Sequence, residues 1–264
     1  MRDTVGGVSE GLLNVERRGA VLWWRMTRET AANALSRALV AELKDAAGGV
    51  GPDVRAVVIA GTGKAFCAGA DLKERRGFSL EQTRAFLDEL GGTLNAIAAL
   101  RCPVLAALNG VAFGGGLELA LACDVRLAAE GVTMGLVETR LGIIPGAGGT
   151  QRLARLVGPA RAKELIFSGR RFDAADALRW GIVQQVVPPG ELEAAAARLA
   201  DEIAGAGPLA VAEAKAAIDE GLATTLAQGL TIERRHYEVV LTSADRDEGL
   251  AAFAEKRAPV FHGK

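Results

Sequence analysis

The first 187 residues alternate between short apolar runs and segments with apolar residues at helical spacing. Apolar runs bounded by glycine, proline or charged residues predict strands, and these span 12–15, 20–26, 54–60, 103–108, 124–129, 132–135 and 182–187. Helical spacing predicts helices, and these span 33–47, 79–101, 117–123, 150–156, 159–167 and 174–180. We expect the first two strands to form a hairpin at Arg17-Arg18-Gly19, and strands 124–129 and 132–135 to form another at Glu130-Gly131.

The order strand, turn, strand, helix occurs three times in this part of the chain. Such an order is typical of stacked similar units whose loops gather on one side. After Pro188-Pro189 the pattern changes to helices rich in alanine and charge, and these span 192–203, 208–221, 224–241 and 248–256. The sequence therefore predicts an α/β core over residues 1–189 and a helical region over 190–264. A helical region of this kind often makes subunit contacts, although it could also cover its own core.

Composition and charge exclude several classes of protein. Hydrophobic residues make up 50% of the 264 residues, which argues against a disordered chain. The 31 Lys and Arg residues against 32 Asp and Glu give a net charge of −1, so charge provides no overall basis for binding nucleic acid or an acidic membrane. Apolar runs are too short to span a membrane, and the first residues lack the apolar core of a signal peptide.

Cysteine and histidine are both scarce in this chain. Cys67, Cys102 and Cys123 are an odd, widely spaced set, which argues against a disulfide framework and predicts a cytoplasmic protein. The two histidines, His236 and His262, lie late in a charged region. They leave little room for a multi-histidine metal site or a Ser-His-Asp triad.

The stretch from Gly110 to Asp124 is the first candidate for chemistry. Gly114-Gly115-Gly116 precedes a helix that is almost wholly apolar, and the one ionisable side chain in that helix is Glu118, in its first turn. A helix that is apolar nearly all round is buried, and a buried carboxylate needs a partner or a task. The start of the helix also offers unpaired N–H groups with positive partial charge.

Other glycine-rich loops do not match nucleotide-binding motifs. The loop at 61–71 lacks the Walker spacing and the Ser or Thr that should follow it. The glycines of the stretch 136–150 do not fit the dinucleotide-binding pattern, because Gln151 occupies the last glycine position of that pattern. Three strand-ending loops remain as candidate sites, at 68–73, 114–118 and 138–149.

Two of these loops, 68–73 and 114–118, are strand ends that open into small residues, so each can present a backbone N–H group. Two such donors that converge on one carbonyl oxygen form an oxyanion hole. Glu118 and Glu138 could handle one water molecule as a pair if their surroundings separate their pKa values, because one then accepts a proton and the other donates.

Each of these features also has an ordinary structural interpretation. Three glycines in a row are more often a tight packing turn, and Glu138 could form an ion pair with Arg140. Asp71 is more typical of a helix cap, and Lys73 of a solvated side chain. Single features therefore leave the function open.

Five motifs occur in order along the chain. They are Lys64-Ala-Phe-Cys-Ala-Gly-Ala-Asp-Leu-Lys73, Asn109-Gly-Val-Ala-Phe-Gly-Gly-Gly-Leu-Glu118, Gly135-Leu-Val-Glu138, Ile144-Pro-Gly-Ala-Gly-Gly-Thr-Gln-Arg152 and Glu248-Gly-Leu-Ala-Ala-Phe-Ala-Glu-Lys-Arg257. Together they resemble the enoyl-CoA hydratase/isomerase (crotonase) family over essentially the whole chain. The resemblance implies an α/β fold, a crotonase-like spiral of ββα repeats with a C-terminal helical region. It also implies an acyl-CoA thioester as the ligand.

The resemblance further implies roles for particular residues. The N–H groups of Ala70 and Gly115 would form the oxyanion hole, and Glu118 and Glu138 would be the catalytic carboxylate pair. The residues expected to bind substrate or coenzyme A are Ala68, Ala70, Asp71, Leu72, Lys73 and Gly115. Neither a metal nor a redox cofactor is expected, because coenzyme A is part of the substrate.

The implied reaction is hydration of a 2-enoyl-CoA thioester to the 3-hydroxyacyl-CoA, in fatty-acid or branched-chain acyl-CoA degradation. The presence of both glutamates in this chain favours hydration, because family members that isomerise commonly lack one of them. Two alternatives within the family are a methylglutaconyl-CoA-type hydratase and an enoyl-CoA isomerase. An alternative of another class is a non-catalytic RNA-binding or scaffold protein.

The resemblance also implies a homo-oligomer, a hexamer built as a dimer of trimers. Some members of the methylglutaconyl-CoA hydratase branch bind RNA through a lysine-rich helix, whereas the matching helix here, 33–47, has balanced charge. We therefore expect neither nucleic acid nor a membrane as a partner.

Overall fold

The structure, a computed structural model, describes residues 11–264. Its strands are β1 (Leu13–Arg18), β2 (Val21–Met26), β3 (Ala56–Gly61), β4 (Ala65–Cys67), β5 (Val104–Leu108), β6 (Val111–Phe113), β7 (Val125–Ala129), β8 (Thr133–Gly135), β9 (Phe172–Asp173) and β10 (Gln185–Val187). Its α-helices are α1 (Arg37–Gly48), α2 (Leu72–Arg75), α3 (Leu80–Ala98), α4 (Gly115–Ala122), α5 (Gly149–Val157), α6 (Pro159–Ser168), α7 (Ala174–Arg179), α8 (Leu192–Gly205), α9 (Pro208–Gly221), α10 (Leu226–Leu241) and α11 (Ala244–Glu255). Short 3₁₀ turns occupy Glu29–Ala31, Glu138–Leu141 and Pro189–Glu191. The expectation about a signal peptide and the start of the predicted core concern residues 1–10 and lie outside the described residues.

The strands form two sheets. The larger has the order β1-β2-β3-β5-β7-β10 and is parallel except at β1–β2, and the smaller has the order β4-β6-β8-β9 and is parallel except at β8–β9. Three times, a strand of the larger sheet is followed by a strand of the smaller sheet and then by a helix. The predicted series of ββα units is therefore confirmed.

The two predicted hairpins have different outcomes. β1 and β2 pair antiparallel across the expected turn, with Arg18 opposite Val21. β7 and β8 do not pair with each other, because β7 lies between β5 and β10 while β8 lies between β6 and β9. The prediction of a second hairpin was wrong. A short connection permits a hairpin, but a strand buried on both faces takes parallel neighbours from distant parts of the chain.

The interior of the larger sheet forms the centre of the core. Every residue of β3 and β5 is buried, as expected for parallel strands covered on both faces. Helix α8 packs against β2, β3, β5 and β7. This helix belongs to the predicted C-terminal region, so at least one helix of that region completes the core. The division of the chain into two regions at residue 190 stays a prediction.

Helix α1 begins four residues later than predicted. Ser36 caps it, since its hydroxyl accepts a hydrogen bond from the N–H of Leu39 at 3.3 Å. Asn33 lies before the helix in a left-handed conformation (φ 54°), and its side-chain amide donates to the carbonyls of Thr62 (3.0 Å) and Ala65 (2.8 Å). Asparagine tolerates this conformation better than most residues because its short side chain bonds locally.

The C-terminal helices are tied to the core by a few polar contacts. The ammonium group of Lys215 on α9 forms an ion pair with Asp124, which also accepts the N–H of Val104 at 2.7 Å. Arg55, before β3, donates to the carbonyls of Ala204 and Phe261. Helices α9 and α10 pack mainly against each other.

Helix α11 also starts earlier than the predicted range of 248–256. Ser243 caps it by accepting the N–H of Arg246 at 3.1 Å, so the helix gains its first turn before Glu248. Several large apolar side chains on the last helices remain exposed, including Leu222, Leu226 and Phe253. Across residues 11–264, no helix combines the length and apolar character that crossing a membrane requires.

Candidate active site

A cavity of about 650 Å³ lies where the three candidate loops come together. Parts of α2 and α3, the start of α4 and the segment 137–146 line it. The lining residues are Ala68, Gly69, Ala70, Leu72, Arg75, Thr83, Phe86, Leu87, Leu90, Gly114, Gly115, Glu118, Val137, Glu138, Leu141, Ile143, Ile144 and Gly146. The structure thus brings together all four residues predicted for the oxyanion hole and the carboxylate pair.

The three consecutive glycines set the start of α4. Gly114 has φ 51° and ψ −126°, a conformation that is essentially open only to glycine, and its N–H donates to the carbonyl of Gly135 at 2.9 Å. A Cβ atom on Gly116 would lie 2.1 Å from the carbonyl oxygen of Cys67. The helix therefore begins at Gly115, two residues before the predicted start, with its first N–H groups toward the cavity.

Ala70 and Gly115 present their N–H groups side by side. Leu35 forms a parallel bridge with Ala70, in which Leu35 bonds the carbonyl of Gly69 (2.8 Å) and the N–H of Asp71 (3.0 Å). This pattern leaves the N–H of Ala70 without an acceptor among the described residues. The N–H of Gly115 has no acceptor among them either. A Cβ built on Gly115 would lie 3.6 Å from the nitrogen of Ala70. The two backbone segments therefore lie close together beside the cavity.

Glu118 is buried in the first turn of α4, and one of its carboxylate oxygens is held firmly. Oε1 accepts the N–H groups of Ala147 and Gly149, both at 2.8 Å. Burial raises the pKa of Glu118, and these two N–H groups and the charge of Arg152 oppose that rise. Both donors bind Oε1, so Oε2 is left without a hydrogen-bond partner among the described residues.

Glu138 is buried at the start of a 3₁₀ turn and lacks comparable support. Its Oε2 has no hydrogen-bond partner among residues 11–264. Burial raises the pKa of Glu138 to about 7, and the nearby charge of Glu118 contributes to that rise. The ion pair with Arg140 that the sequence left open does not form, because the guanidinium Nε of Arg140 donates to the carbonyl of Gly169 at 3.0 Å.

The residues expected to bind coenzyme A divide into two groups. Ala68 and Leu72 line the cavity together with Ala70 and Gly115. Asp71 does not line it but caps α2, accepting the N–H groups of Lys73 (2.9 Å) and Glu74 (3.2 Å). Lys73 is exposed and also lies outside the cavity lining.

An ion pair fixes Asp71 in this capping position. Its carboxylate lies 2.6 Å from the guanidinium of Arg28. Burial alone would raise the pKa of Asp71, but Arg28 and the capping N–H groups outweigh that effect and lower it. The structural interpretation of Asp71 as a cap therefore agrees with the geometry.

Sequence patterns did not identify the groups that support the glutamates. Ala147 and Gly149 act through backbone N–H groups, which leave no side-chain signature, although the loop that carries them was a candidate. Arg152 donates to the carbonyl of Ala147 at 2.9 Å and to the side chain of Asn95 at 2.7 Å. Among the described residues no cluster of three or more His, Cys, Asp or Glu side chains has an arrangement suited to a metal ion.

Comparisons with known proteins agree on one family. A family model described as enoyl-CoA hydratase/isomerase matches residues 16–264. The chain is 48% identical over 246 residues to the Mus musculus protein named enoyl-CoA hydratase domain-containing protein 2, mitochondrial, covering 90% of this chain and 83% of that one. It is 44% identical over 259 residues to Homo sapiens methylglutaconyl-CoA hydratase, mitochondrial, covering 96% and 76%.

A solved structure gives the same result. The crystal structure of an enoyl-CoA hydratase from Bacillus anthracis matches this fold with a TM-score of 0.95 and 48% identity. The match covers 96% of this chain and 100% of that chain. The expected ββα architecture is therefore shared with a solved structure over nearly the full length.

Proposed function

The chain belongs to the enoyl-CoA hydratase/isomerase family, and on that basis we propose that it hydrates a 2-enoyl-CoA thioester to the 3-hydroxyacyl-CoA. The observation that carries the proposal is the pair of buried carboxylates on one cavity. Glu118 keeps one oxygen fixed by two N–H groups and the other without a partner. Glu138 also has an oxygen without a partner. Two such oxygens suit the binding of one water molecule between them.

The oxyanion hole would activate the substrate. In the proposed reaction the thioester oxygen accepts the N–H groups of Ala70 and Gly115. Negative charge that develops on this oxygen during attack is stabilised by aligned donors and by the start of α4. Electron density is thereby drawn from the C2=C3 bond, and C3 becomes electrophilic.

The two glutamates would then move the protons. Glu118 accepts a proton from the water as the water oxygen bonds to C3, and Glu138 gives its proton to C2. The surroundings support this assignment, because two N–H groups and the charge of Arg152 oppose the rise that burial causes in the pKa of Glu118. The pKa of Glu138, raised to about 7 by burial, favours the form that can donate.

Crotonyl-CoA tests the proposal directly. We expect the purified protein to remove the enoyl absorbance and to yield a product heavier by one water molecule. A protein that hydrates no short 2-enoyl-CoA would refute the hydratase proposal. Conversion of a 3-enoyl-CoA to its 2-enoyl isomer, without a change in mass, would instead support the isomerase alternative.

A branched substrate is a second candidate. It is favoured by the 44% identity to the human protein that is named methylglutaconyl-CoA hydratase. A panel of substrates from crotonyl-CoA upward, with branched members, ranks these candidates by kcat/KM. The pathway, whether fatty-acid or branched-chain acyl-CoA degradation, follows from the preferred substrate.

The proposed chemistry needs neither a metal nor a redox cofactor, because every proton in it is moved by Glu118 or Glu138. Hydration should therefore proceed at the same rate after dialysis against a chelator. Full loss of activity after this treatment, with recovery on adding a divalent cation, would contradict this part of the proposal.

The proposal includes a homo-oligomer, a hexamer. It is supported by the exposed apolar side chains of Leu222, Leu226 and Phe253 on the last helices, since water-exposed apolar groups of this size favour burial at an interface. Light scattering should give the mass of a hexamer, and a monomer at micromolar concentration would contradict it.

The cytoplasmic location, and the lack of a nucleic-acid or membrane partner, remain proposals as well. Three free, buried cysteines support a reducing compartment, although the mouse and human relatives carry the word mitochondrial in their names. Fractionation of the source cells tests the location. A tight, salt-sensitive gel shift with RNA would contradict the expectation about nucleic acid.

A further inference from the structure

Arg152, on α5, binds the loop that holds Glu118. Its guanidinium donates to the carbonyl of Ala147 at 2.9 Å and to the side-chain oxygen of Asn95 on α3 at 2.7 Å. It is half-buried and does not line the active-site cavity. Any effect of Arg152 on the proposed reaction must therefore pass through the groups around it.

The carbonyl that Arg152 binds lies between the two donors of Glu118 along the chain. The N–H groups of Ala147 and Gly149 both bind Oε1 of Glu118 at 2.8 Å. The peptide group that joins Ala147 to Gly148 connects the two peptide groups that carry these donors, and its oxygen is the acceptor of Arg152. Because each peptide group is planar, fixing this one limits how far the donors on either side can turn. Arg152 therefore restrains the hydrogen bonds of Glu118.

Gly148 allows the guanidinium to approach this loop closely. It has φ 104°, in the left-handed region that favours glycine, and a Cβ atom built on it would lie 2.2 Å from Nη1 of Arg152. A Cβ atom built on Gly149 would lie 2.9 Å from Oε1 of Glu118. The guanidinium and the carboxylate thus both pack against one short stretch of backbone, which only glycines permit.

The positive charge of Arg152 acts on Glu118 rather than on an ordinary ion-pair partner. No carboxylate in residues 11–264 forms an ion pair with its guanidinium. Burial lowers the pKa of Arg152, and the charge of Glu118 is the largest effect that opposes this. Burial raises the pKa of Glu118, and the two N–H groups and then the charge of Arg152 oppose that rise.

Other titratable groups near this pair do not replace Arg152. Glu138, on the 3₁₀ turn, is an acid, and Arg75 of α2 lines the same cavity. The thiol of Cys123 lies near Arg152 and is neutral, because burial raises its pKa to about 12. Arg152 is the cation whose charge favours the ionised form of Glu118.

Arg152 thus acts on Glu118 in two ways, through the loop 147–149 and through its charge. Both bear on the step in which Glu118 takes a proton from water, because a base must be ionised and aligned before it can accept a proton. We propose that Arg152 is a positioning residue for hydration, which keeps Glu118 ionised and its Oε2 directed to the water. This inference rests on the proposed hydratase function and adds the group that prepares the base.

Hydration of crotonyl-CoA by the wild type, Arg152→Met, Arg152→Lys and Arg155→Met tests the inference. Arg155 is the matched control, because it is an exposed arginine on the same helix whose guanidinium donates to Gln151 one turn earlier. Both kcat and KM are measured from about pH 5 to about pH 9. Urea unfolding establishes that each variant is folded.

We expect Arg152→Met to lower kcat by about tenfold or more near neutral pH, with little change in KM, because Arg152 lies outside the cavity lining. The loss should grow as the pH falls, since without the cation Glu118 takes up its proton at a higher pH. Arg152→Lys should restore part of the rate at low pH because it keeps the charge. It should not restore the full kcat, because an ammonium group lacks the planar fork that joins two acceptors. Arg155→Met should match the wild type at every pH.

A folded Arg152→Met variant with the rate and pH profile of the wild type would overturn the inference. A loss of equal size at every pH that Arg152→Lys does not restore would overturn it as well, because Arg152 would then only stabilise the loop.

A titration without substrate separates this inference from the hydratase proposal. Infrared difference spectra follow the carbonyl stretch of the protonated Glu118 carboxyl as the pH changes, and Glu118→Gln assigns the band. The pKa of Glu118 should be higher in Arg152→Met than in the wild type. If the protein hydrates crotonyl-CoA and this pKa does not change, the inference fails and the hydratase proposal stands. If the pKa rises but no enoyl-CoA is hydrated, the hydratase proposal fails and the action of Arg152 on Glu118 stands.

Discussion

Glu118 and Glu138 are the same residue type, yet their carboxylates meet different surroundings in one cavity. Glu118 accepts two backbone N–H groups on one oxygen, while Oε2 of Glu138 has no partner among the described residues. Burial and the charge of Glu118 raise the pKa of Glu138 to about 7. Surroundings rather than residue type therefore separate the proposed base from the proposed acid.

The rate of hydration should fall as the pH rises through about 7. Glu138 must carry a proton to act as the acid, and burial raises its pKa to about 7, so the protonated fraction declines above that pH. The measurement is kcat/KM for crotonyl-CoA from pH 5.5 to about pH 9. The residual kcat/KM of Glu138→Gln should not fall above pH 7. A wild-type kcat/KM that stays constant up to about pH 9 would contradict the role of Glu138 as the acid.

The same group should make stability depend on pH. The pKa of Glu138 is raised in the folded state, so the group's contribution to stability is complete below the unfolded value and is lost as the pH rises through about 7. Glu138→Gln removes the buried charge, so its free energy of unfolding should exceed that of the wild type at pH 8, by on the order of 3 kcal/mol at most. Urea unfolding at pH 8 and pH 5 checks this, and the difference should shrink at the lower pH. Equal differences at both pH values would contradict it.

The sequence predicted the main site residues but not the groups that tune them. Glu118, Glu138, Ala70 and Gly115 were expected together and line one cavity. The N–H groups on Glu118 come from the backbone, which any residue provides, so no residue type marks them.

At the scale of elements, the start of α4 determines where the site forms. The helix must begin at Gly115 for that N–H to be unpaired, and it can do so because Gly114 adopts a conformation closed to other residues and Gly116 approaches the Cys67 carbonyl. Sequence periodicity placed the start at residue 117, since glycines carry no apolar signal. The apolar pattern of the sequence carries no information about the close approach of Gly116 to the Cys67 carbonyl.

Gly116→Ala should destabilise the fold by about 2 kcal/mol or more and reduce hydration. A Cβ there would lie 2.1 Å from the carbonyl oxygen of Cys67, so β4 or α4 must shift. Gly92→Ala is the matched control, because Gly92 is an exposed helical glycine with nothing within 4 Å of a new Cβ. The free energy of unfolding of Gly92→Ala should exceed that of the wild type by up to about 1 kcal/mol. If the two substitutions changed the free energy of unfolding, measured in urea, by similar amounts, the approach of Gly116 to the Cys67 carbonyl would not require a glycine.

Most elements followed from the apolar pattern, and the failures share a cause. The β1–β2 hairpin and the three ββα units agree with the expectation. Pairing of β7 with β8 failed, as did the starts of α1, α4 and α11. The deciding contact is a parallel strand far along the chain for β7, a side-chain cap for α1 and α11, and a close backbone approach at Gly116 for α4.

At the scale of the whole molecule, the site is assembled from three repeats and the last helices remain partly uncovered. The side chain of Phe253 on α11 is 86% exposed. Replacing it with glutamate should weaken the proposed hexamer, because a charge would be buried at an interface. Light scattering should show a smaller mass for Phe253→Glu than for Val15→Glu, a control with an apolar residue exposed on β1. Equal masses would place the interface elsewhere.

One set of hydration rates tests whether Glu118 and Glu138 act as a pair. Hydration of crotonyl-CoA is measured for Glu118→Gln, Glu138→Gln, the double variant and Glu130→Gln, whose exposed glutamate is the control. Each single variant should lower kcat by about 10²- to 10⁴-fold. The double variant should lose little more, because the two groups act as a unit on one water molecule, and Glu130→Gln should match the wild type. A folded single variant that retains the wild-type rate would contradict the two-carboxylate mechanism.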